Sequence, residues 1–156
     1  MDFRDAMSLV STSVSILSCL EENLVHGCTI SSLVSVSVQD ENPEVIFVLK
    51  KQSLLGGRIK TKNFFTINVL SASQEWLAKK YSVERLPESI LDSSWNIDRK
   101  FAELPGCRVT MNCKLLKIYD NHAADIFVGH VVKYSGSQSL PSLIYDARRY
   151  GRFQSN

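Results

Sequence analysis

Short runs in which apolar residues recur at every second position, separated by short polar turns, constrain this chain most. Val14, Ile16, Ser18 and Leu20 keep one phase, and so do Phe65, Ile67 and Val69. A period of two belongs to strands that bury one face. VIFVL at 45–49 is short and continuously apolar, as in a buried strand. Over residues 108–119 the apolar phase is odd at Val109, Met111, Cys113 and Leu115, then even at Leu116 and Ile118. That slip predicts a bulge. Residues 125–134 read as a further strand, and LIYDARRY at 143–150 closes the pattern. Six or seven strands with short connections and no βαβ rhythm predict a mainly β fold. The expectation is an antiparallel sheet closed into a β-barrel, with helices at its ends.

Few helices compete with this pattern. Phe3, Ala6, Met7 and Val10 have the spacing of an amphipathic helix. Residues 54–60 suit a short helix weakened by Gly56 and Gly57. Ser71 followed by Gln74 resembles a capping box, opening a helix to about Tyr81 with Trp76, Leu77 and Tyr81 inward. Residues 84–106, with Pro87 and Pro105 near the ends, read as a long excursion carrying one helical turn. A length of 156 residues suits a single domain over 1–156.

Several function classes are excluded. The net charge is +2 and no basic stripe is interleaved with aromatics, so nucleic acid is not an expected partner. No apolar run approaches the roughly 20 residues that span a bilayer. MDFRDAM lacks the basic and apolar regions of a signal peptide, and the expected location is cytoplasmic. Cys19, Cys28, Cys107 and Cys113 fit neither a CxxC pair nor a zinc site and read as reduced thiols, mostly in the core. His26, His122 and His130 form no HxxxH or HExxH pattern, so no metal is expected. GxSxG, Walker A and GxGxxG motifs are absent.

What remains is a chain built to hold something that does its own chemistry. HGCTISSLVSVS at 26–37 carries small hydroxyls at Thr29, Ser31, Ser32, Ser35 and Ser37. Such residues leave room for a flat ligand near the backbone and offer adaptable hydrogen bonds. A strand of this kind matches the polar edge of a flavin ring; small residues in a crowded barrel are the alternative. One strand later, Lys50-Lys51-Gln52-Ser53 and Arg58 offer a phosphate two ammonium groups, a hydroxyl and, if Ser53 opens a helix, free N–H groups. Arg148, Arg149 and Tyr150 suit a second nucleotide, or equally a charged tail or a dimer contact.

In this order the motifs resemble the flavin reductase-like family of FMN-binding split barrels. The matching pieces are FRDAM at 3–7, HGCTISSLVSVS, VIFVLKKQS at 45–53, FFTINVLSASQEWLAKKYS at 64–82, IFVGHVV at 126–132 and LIYDARRY. FRDAM and RRY look most like the branch serving 4-hydroxyphenylacetate 3-monooxygenase. The resemblance implies an NAD(P)H:flavin oxidoreductase, homodimeric, that supplies reduced flavin to a partner flavin-dependent monooxygenase. FMN is the implied cofactor, with FAD possible, and NADH or NADPH the hydride donor. Carried over by position, Thr12, Thr29, Ile30, Ser31 and Ser32 would line the ring. Ser35, Val36 and Ser37 would lie towards the ribityl chain or phosphate. Val48, Leu49, Lys50 and Ser53 would continue the pocket, with Lys50 at the phosphate. His122, Arg148, Arg149 and Tyr150 are the nicotinamide candidates. Asn68 is expected to be structural. The chain departs from the family where Gly-Asp-His is usual, reading His122, Ala123 and Ala124. His130 stands where an acidic residue is common, and Ser13 where glycine is common. These departures leave an alternative, a flavin-binding electron-transfer module of the same fold that does not oxidise nicotinamide.

Overall fold

The computed structural model describes residues 1–83, 86–91 and 94–153. The first half holds α1 (Phe3–Ser8), β1 (Thr12–Ser13), β2 (Ser15–Glu21), β3 (Leu24–Ile30), β4 (Val34–Ser37), β5 (Glu44–Lys50), α2 (Leu54–Lys62) and β6 (Phe64–Val69). A 3₁₀ turn (Ala72–Gln74) leads into α3 (Glu75–Lys80). Then come β7 (Glu88–Ser89), β8 (Asn96–Asp98), β9 (Phe101–Glu103), β10 (Val109–Asp120), β11 (Ala124–Gly136), β12 (Leu143–Asp146) and β13 (Arg149–Arg152).

Every strand pairing is antiparallel, as the short connections predict. Eight strands form one sheet in the order β4-β5-β11-β10-β6-β2-β3-β7. A small sheet holds β1, β12 and β13, and β8 pairs with β9. The large sheet curls, so that Ile30 of β3 and Val45, Phe47 and Leu49 of β5 share one core with Leu17, Ile67 and Phe127. Among the described residues hydrogen bonding does not close the curl: β4 and β7 end the sheet without pairing to each other. α2 occupies the opening. It follows β5, buries Leu55 and Ile59 in the same core, and packs on β2 and β3. The architecture is therefore a split barrel plugged by a helix.

The core explains several residue choices. Phe47 stacks on Phe127 with ring centroids 5.1 Å apart and meets the edge of Phe65 at 5.2 Å. A Cβ on Gly129 would lie 2.5 Å from Phe65 Cζ, so only glycine lets that ring sit there. The expected bulge is present as a register shift between Leu115 and Lys117, with a second between Asn112 and Cys113. Asn68 is structural, as expected. Its amide donates to the Ile16 carbonyl and its Oδ1 accepts from Leu104 N.

Three expectations need correction. Trp76 is 60% exposed instead of inward. The 3₁₀ turn shifts the helical phase, so Gln74, Leu77, Ala78 and Tyr81 make the buried stripe. Gln74 earns its buried place by accepting from Ser71 N and donating to the Pro105 carbonyl. Within 84–106, the described residues show β7 and the β8–β9 hairpin instead of a helical turn; residues 84, 85, 92 and 93 lie outside the described residues. This stretch covers the outer face of β2 and β3 through Trp95, Ala102 and Leu104. Finally, α1 forms but ends at Ser8, and Phe3, Met7 and Val10 of the expected apolar stripe stay exposed.

Candidate flavin site

The hydroxyl-rich segment is one strand that breaks at residues 31–33 into β3 and β4. The break places its hydroxyls in different settings. Thr29 donates to the Ala78 carbonyl at 2.7 Å, and its N–H donates to the Tyr81 carbonyl. Its hydroxyl fastens α3 to the sheet and does not face a free ring site. Ser32 stands in for a strand residue: its Oγ accepts from Val48 N at 3.0 Å and donates to the Val48 carbonyl. Ser31 is exposed and has no side-chain hydrogen bond among the described residues.

Topology brings the ring-side candidates together. Ser15 pairs with Ile30, so the chain before β2 and the chain after β3 leave the sheet at the same end. Thr12 and residues 31–32 therefore flank that end. The Thr12 hydroxyl is buried without a hydrogen-bond partner among the described residues. Ser32 ties the end to Val48, and Lys50 lies two residues further along β5. Val48 is 39% exposed and presents a side chain to this surface, whereas Leu49 and Ile30 point into the core and offer only backbone.

The phosphate-side residues follow directly. Ser53 is the N-cap of α2, its Oγ accepting from Gly56 N at 3.1 Å. The N–H groups of Leu54 and Leu55 in that first turn have no intrahelical acceptor, which is the usual attraction of a helix start for an anion. The two neighbouring lysines differ. Lys51 is bound to Asp120 and to Asp125, the latter at 2.8 Å, and Lys60 holds the other oxygen of Asp125 at 2.6 Å. Those two ammonium groups hold the buried Asp125 carboxyl below the usual carboxylate range. Lys50 is exposed and forms no ion pair among the described residues, so it is the cation left for a phosphate. The sequence showed both lysines but not this division. Asp120 and Asp125, facing each other across the β10–β11 turn, were the overlooked signal.

Other candidates fall elsewhere. Ser35 is opposite Val45 and Ser37 opposite Glu44, with a bulge at Val36. Five residues of strand separate positions 45 and 50, about 17 Å. Ser35, Val36 and Ser37 therefore cannot share a phosphate with Lys50. His122 sits in the β10–β11 turn beside Lys50, because Ala124 pairs with Lys50 and Lys51 N donates to the Ala123 carbonyl. Arg149 and Tyr150 belong to β13 of the small sheet and Arg148 to the turn before it, so the nicotinamide candidates do not form one group. Arg148 is spent on Asp5 of α1 at 2.5 Å. Arg149 and Tyr150 line a groove of about 640 Å³ with Ile144 and Phe153. Thr12 pairs with Tyr145 of the same small sheet, next in sequence to the groove-lining Ile144.

Burial raises all four thiols, Cys19 and Cys107 to about 11 and Cys28 and Cys113 to about 12; Cys19 and Cys113 are buried and Cys28 and Cys107 half-buried. His26 is buried too. Burial and the Arg58 guanidinium, whose Nε lies 2.9 Å from the ring, push it below the ordinary histidine range against the pull of Glu21.

Known proteins agree with this architecture. The chain is 27% identical to FMN reductase (NADH) SmoA of Agrobacterium fabrum, over 97% of this chain and 84% of that one. It is 23% identical to NADH-dependent flavin reductase StyB of Pseudomonas fluorescens, over 96% and 88%. Among solved structures, NADH:FAD oxidoreductase SgcE6 of Streptomyces globisporus superposes with a TM-score of 0.88 at 21% identity, covering 97% of this chain and 92% of that one. The styrene monooxygenase flavin reductase of Pseudomonas putida S12 gives 0.86 at 22% identity, covering 99% of each. These structures share the fold. A family model, the flavin reductase like domain, matches residues 7–154, and the chain belongs to that family.

Proposed function

We propose that this chain is an NAD(P)H:flavin oxidoreductase that binds FMN, or FAD, and supplies it reduced to a partner monooxygenase. The observation that carries the reading is the convergence at one sheet end of Thr12, Ser31, Val48, Lys50 and the start of α2. Its donor set fits a flavin: an unpaired buried hydroxyl, strand backbone, a free ammonium and a helix start. When bound, the flavin supplies the hydride-accepting chemistry. Residues 30–32 hold and orient the ring through backbone and Ser31, with the exposed Val48 side chain against it, while Lys50 and the α2 N–H groups bind the phosphate. No side-chain acid or base is needed, and the protein contributes proximity and orientation. Arg149 and Tyr150 receive the nicotinamide nucleotide in the groove beside β12, the strand that pairs with β1.

The names of relatives support reduction by NADH, and two are the reductase components of an FADH2-dependent resorcinol hydroxylase and of a 4-nitrophenol 4-monooxygenase. Nothing among them favours an electron-transfer module that cannot oxidise nicotinamide. The chain works as a homodimer in this reading. Phe3 and Met7 of α1, Val10 just beyond it, and Val34 and Val36 of β4 are exposed apolar residues that a second copy would cover. It works in the cytoplasm, where reduced thiols and nicotinamide are available; no helix among the described residues is long and apolar enough to cross a membrane. Purified protein should oxidise NADH, followed at about 340 nm, only when FMN or FAD is added. Turnover of neither NADH nor NADPH with either flavin would overturn the assignment.

A further inference from the structure

A second cavity lies at the opposite end of the β2–β3 hairpin. Ser15 pairs with Ile30 at the flavin end, and Glu21 pairs with Leu24 at the other. Six residues of strand separate the two, about 20 Å. The cavity has a volume of about 330 Å³ and is lined by Leu20, Glu22, Lys62, Phe64, Arg99 and Lys100. That volume is in the range that takes a small organic molecule. Its charge is lopsided, with three cations against one carboxylate. Lys62 is shared with Glu21 at a long 3.5 Å, but Arg99 and Lys100 form no ion pair among the described residues. The Lys100 ammonium lies 4.1 Å from the centre of the Phe64 ring. An apolar floor and free cations thus face the same space.

Three of the five left-handed non-glycine residues among the described ones lie here, the other two being Ala147 and Arg148 in the β12–β13 turn. Glu22 (φ 55°) and Arg99 (φ 56°) are left-handed without being glycine, and Asn63 (φ 64°) stands between Lys62 and Phe64. Glu22 and Arg99 each occupy a two-residue hairpin turn, where glycine, asparagine or aspartate is the unstrained choice. A long charged side chain there costs stability for no gain in turn geometry. Strain of this kind is kept where the side chain has a task.

We propose that this cavity is a binding site for a small organic carboxylate with a flat apolar body, its carboxylate met by Arg99 and Lys100 and its body laid against Phe64 and Leu20. The test uses benzoate as the probe, with benzyl alcohol as its uncharged counterpart and inorganic phosphate as an anion without an apolar body. Backbone amide shifts are followed by NMR on the flavin-free full chain. Saturable shifts at Glu22, Lys62, Phe64 and Lys100 with benzoate, and much weaker ones with the other two probes, are expected. Arg99→Gly relieves the left-handed turn, so it should leave the melting temperature unchanged or higher while weakening benzoate roughly tenfold or more, as for a lost charge-assisted hydrogen bond. Lys100→Gln should weaken it in the same sense. Equal shifts with benzyl alcohol, shifts confined to residues 31–32 and Lys50, unsaturable shifts spread over surface lysines, or unchanged affinity in both variants would each overturn the proposal.

Discussion

Thr12→Val tests the unpaired hydroxyl at the ring end of the sheet. Leaving a buried hydroxyl without a partner costs about 1–3 kcal/mol. Valine keeps the shape and the β-branch that suits a strand, so only the orphaned oxygen is lost. The apo protein should gain about 1–2 kcal/mol, which for a chain of this size raises its melting temperature by about 2–8 °C. Flavin binding should move the other way. The loss of one neutral hydrogen bond to the flavin, about 0.5–1.5 kcal/mol, raises the Kd for FMN roughly twofold to tenfold. Scanning calorimetry of apo protein and quenching of FMN fluorescence read the two effects separately. Thr12→Ser retains the hydroxyl and should retain the affinity. An apo melting temperature that does not rise, with an FMN Kd that does not change, would show that the oxygen is satisfied within the protein and faces no ligand.

Lys50→Ala should weaken FMN more than riboflavin by about 1.5–3 kcal/mol, measured by paired titrations; equal losses would remove Lys50 from the phosphate. Gly129→Ala should destabilise by about 1–3 kcal/mol in urea unfolding through its overlap with Phe65, and unchanged stability would refute the tight packing there. His26 is held below its ordinary pKa, so the unfolded chain takes up its proton first and stability falls as pH drops below about 6.5. His26→Gln should flatten urea midpoints measured between about pH 7 and 5; a slope as steep as the parent's would contradict that account.

The fold was legible where a single strand face meets a core. Phe65, Ile67 and Val69 alternate because β6 lies within the sheet, and the phase slip at Leu115 to Leu116 is the bulge itself. It was illegible where non-local partners decide. Nothing local in residues 86–104 announces strands. They form because Ser18 donates to the Ala102 carbonyl, Asn68 accepts from Leu104 N and β7 pairs with β3. Trp76 misled because the inward place went to a polar residue, Gln74, whose hydrogen bonds appear only once Pro105 is in position. Hydroxyl content likewise marked the flavin end without saying which hydroxyls are free. Thr29 and Ser32 are consumed by Ala78 and Val48, partners far away in sequence, while Ser31 and Thr12 are not. The resemblance to the family supplied the activity, and the structure supplied the division of labour between Lys50 and Lys51.

The central claim is that this chain passes hydride from nicotinamide to a flavin although the usual Gly-Asp-His is replaced by His122, Ala123 and Ala124. The most direct measurement is a single turnover under strictly anaerobic conditions, in which NADH or NADPH is mixed with flavin-loaded protein and absorbance at about 450 nm is followed. The account predicts complete bleaching with one donor, faster than the same donor bleaches free flavin. A flavin that stays bound and keeps its colour with both donors would contradict it.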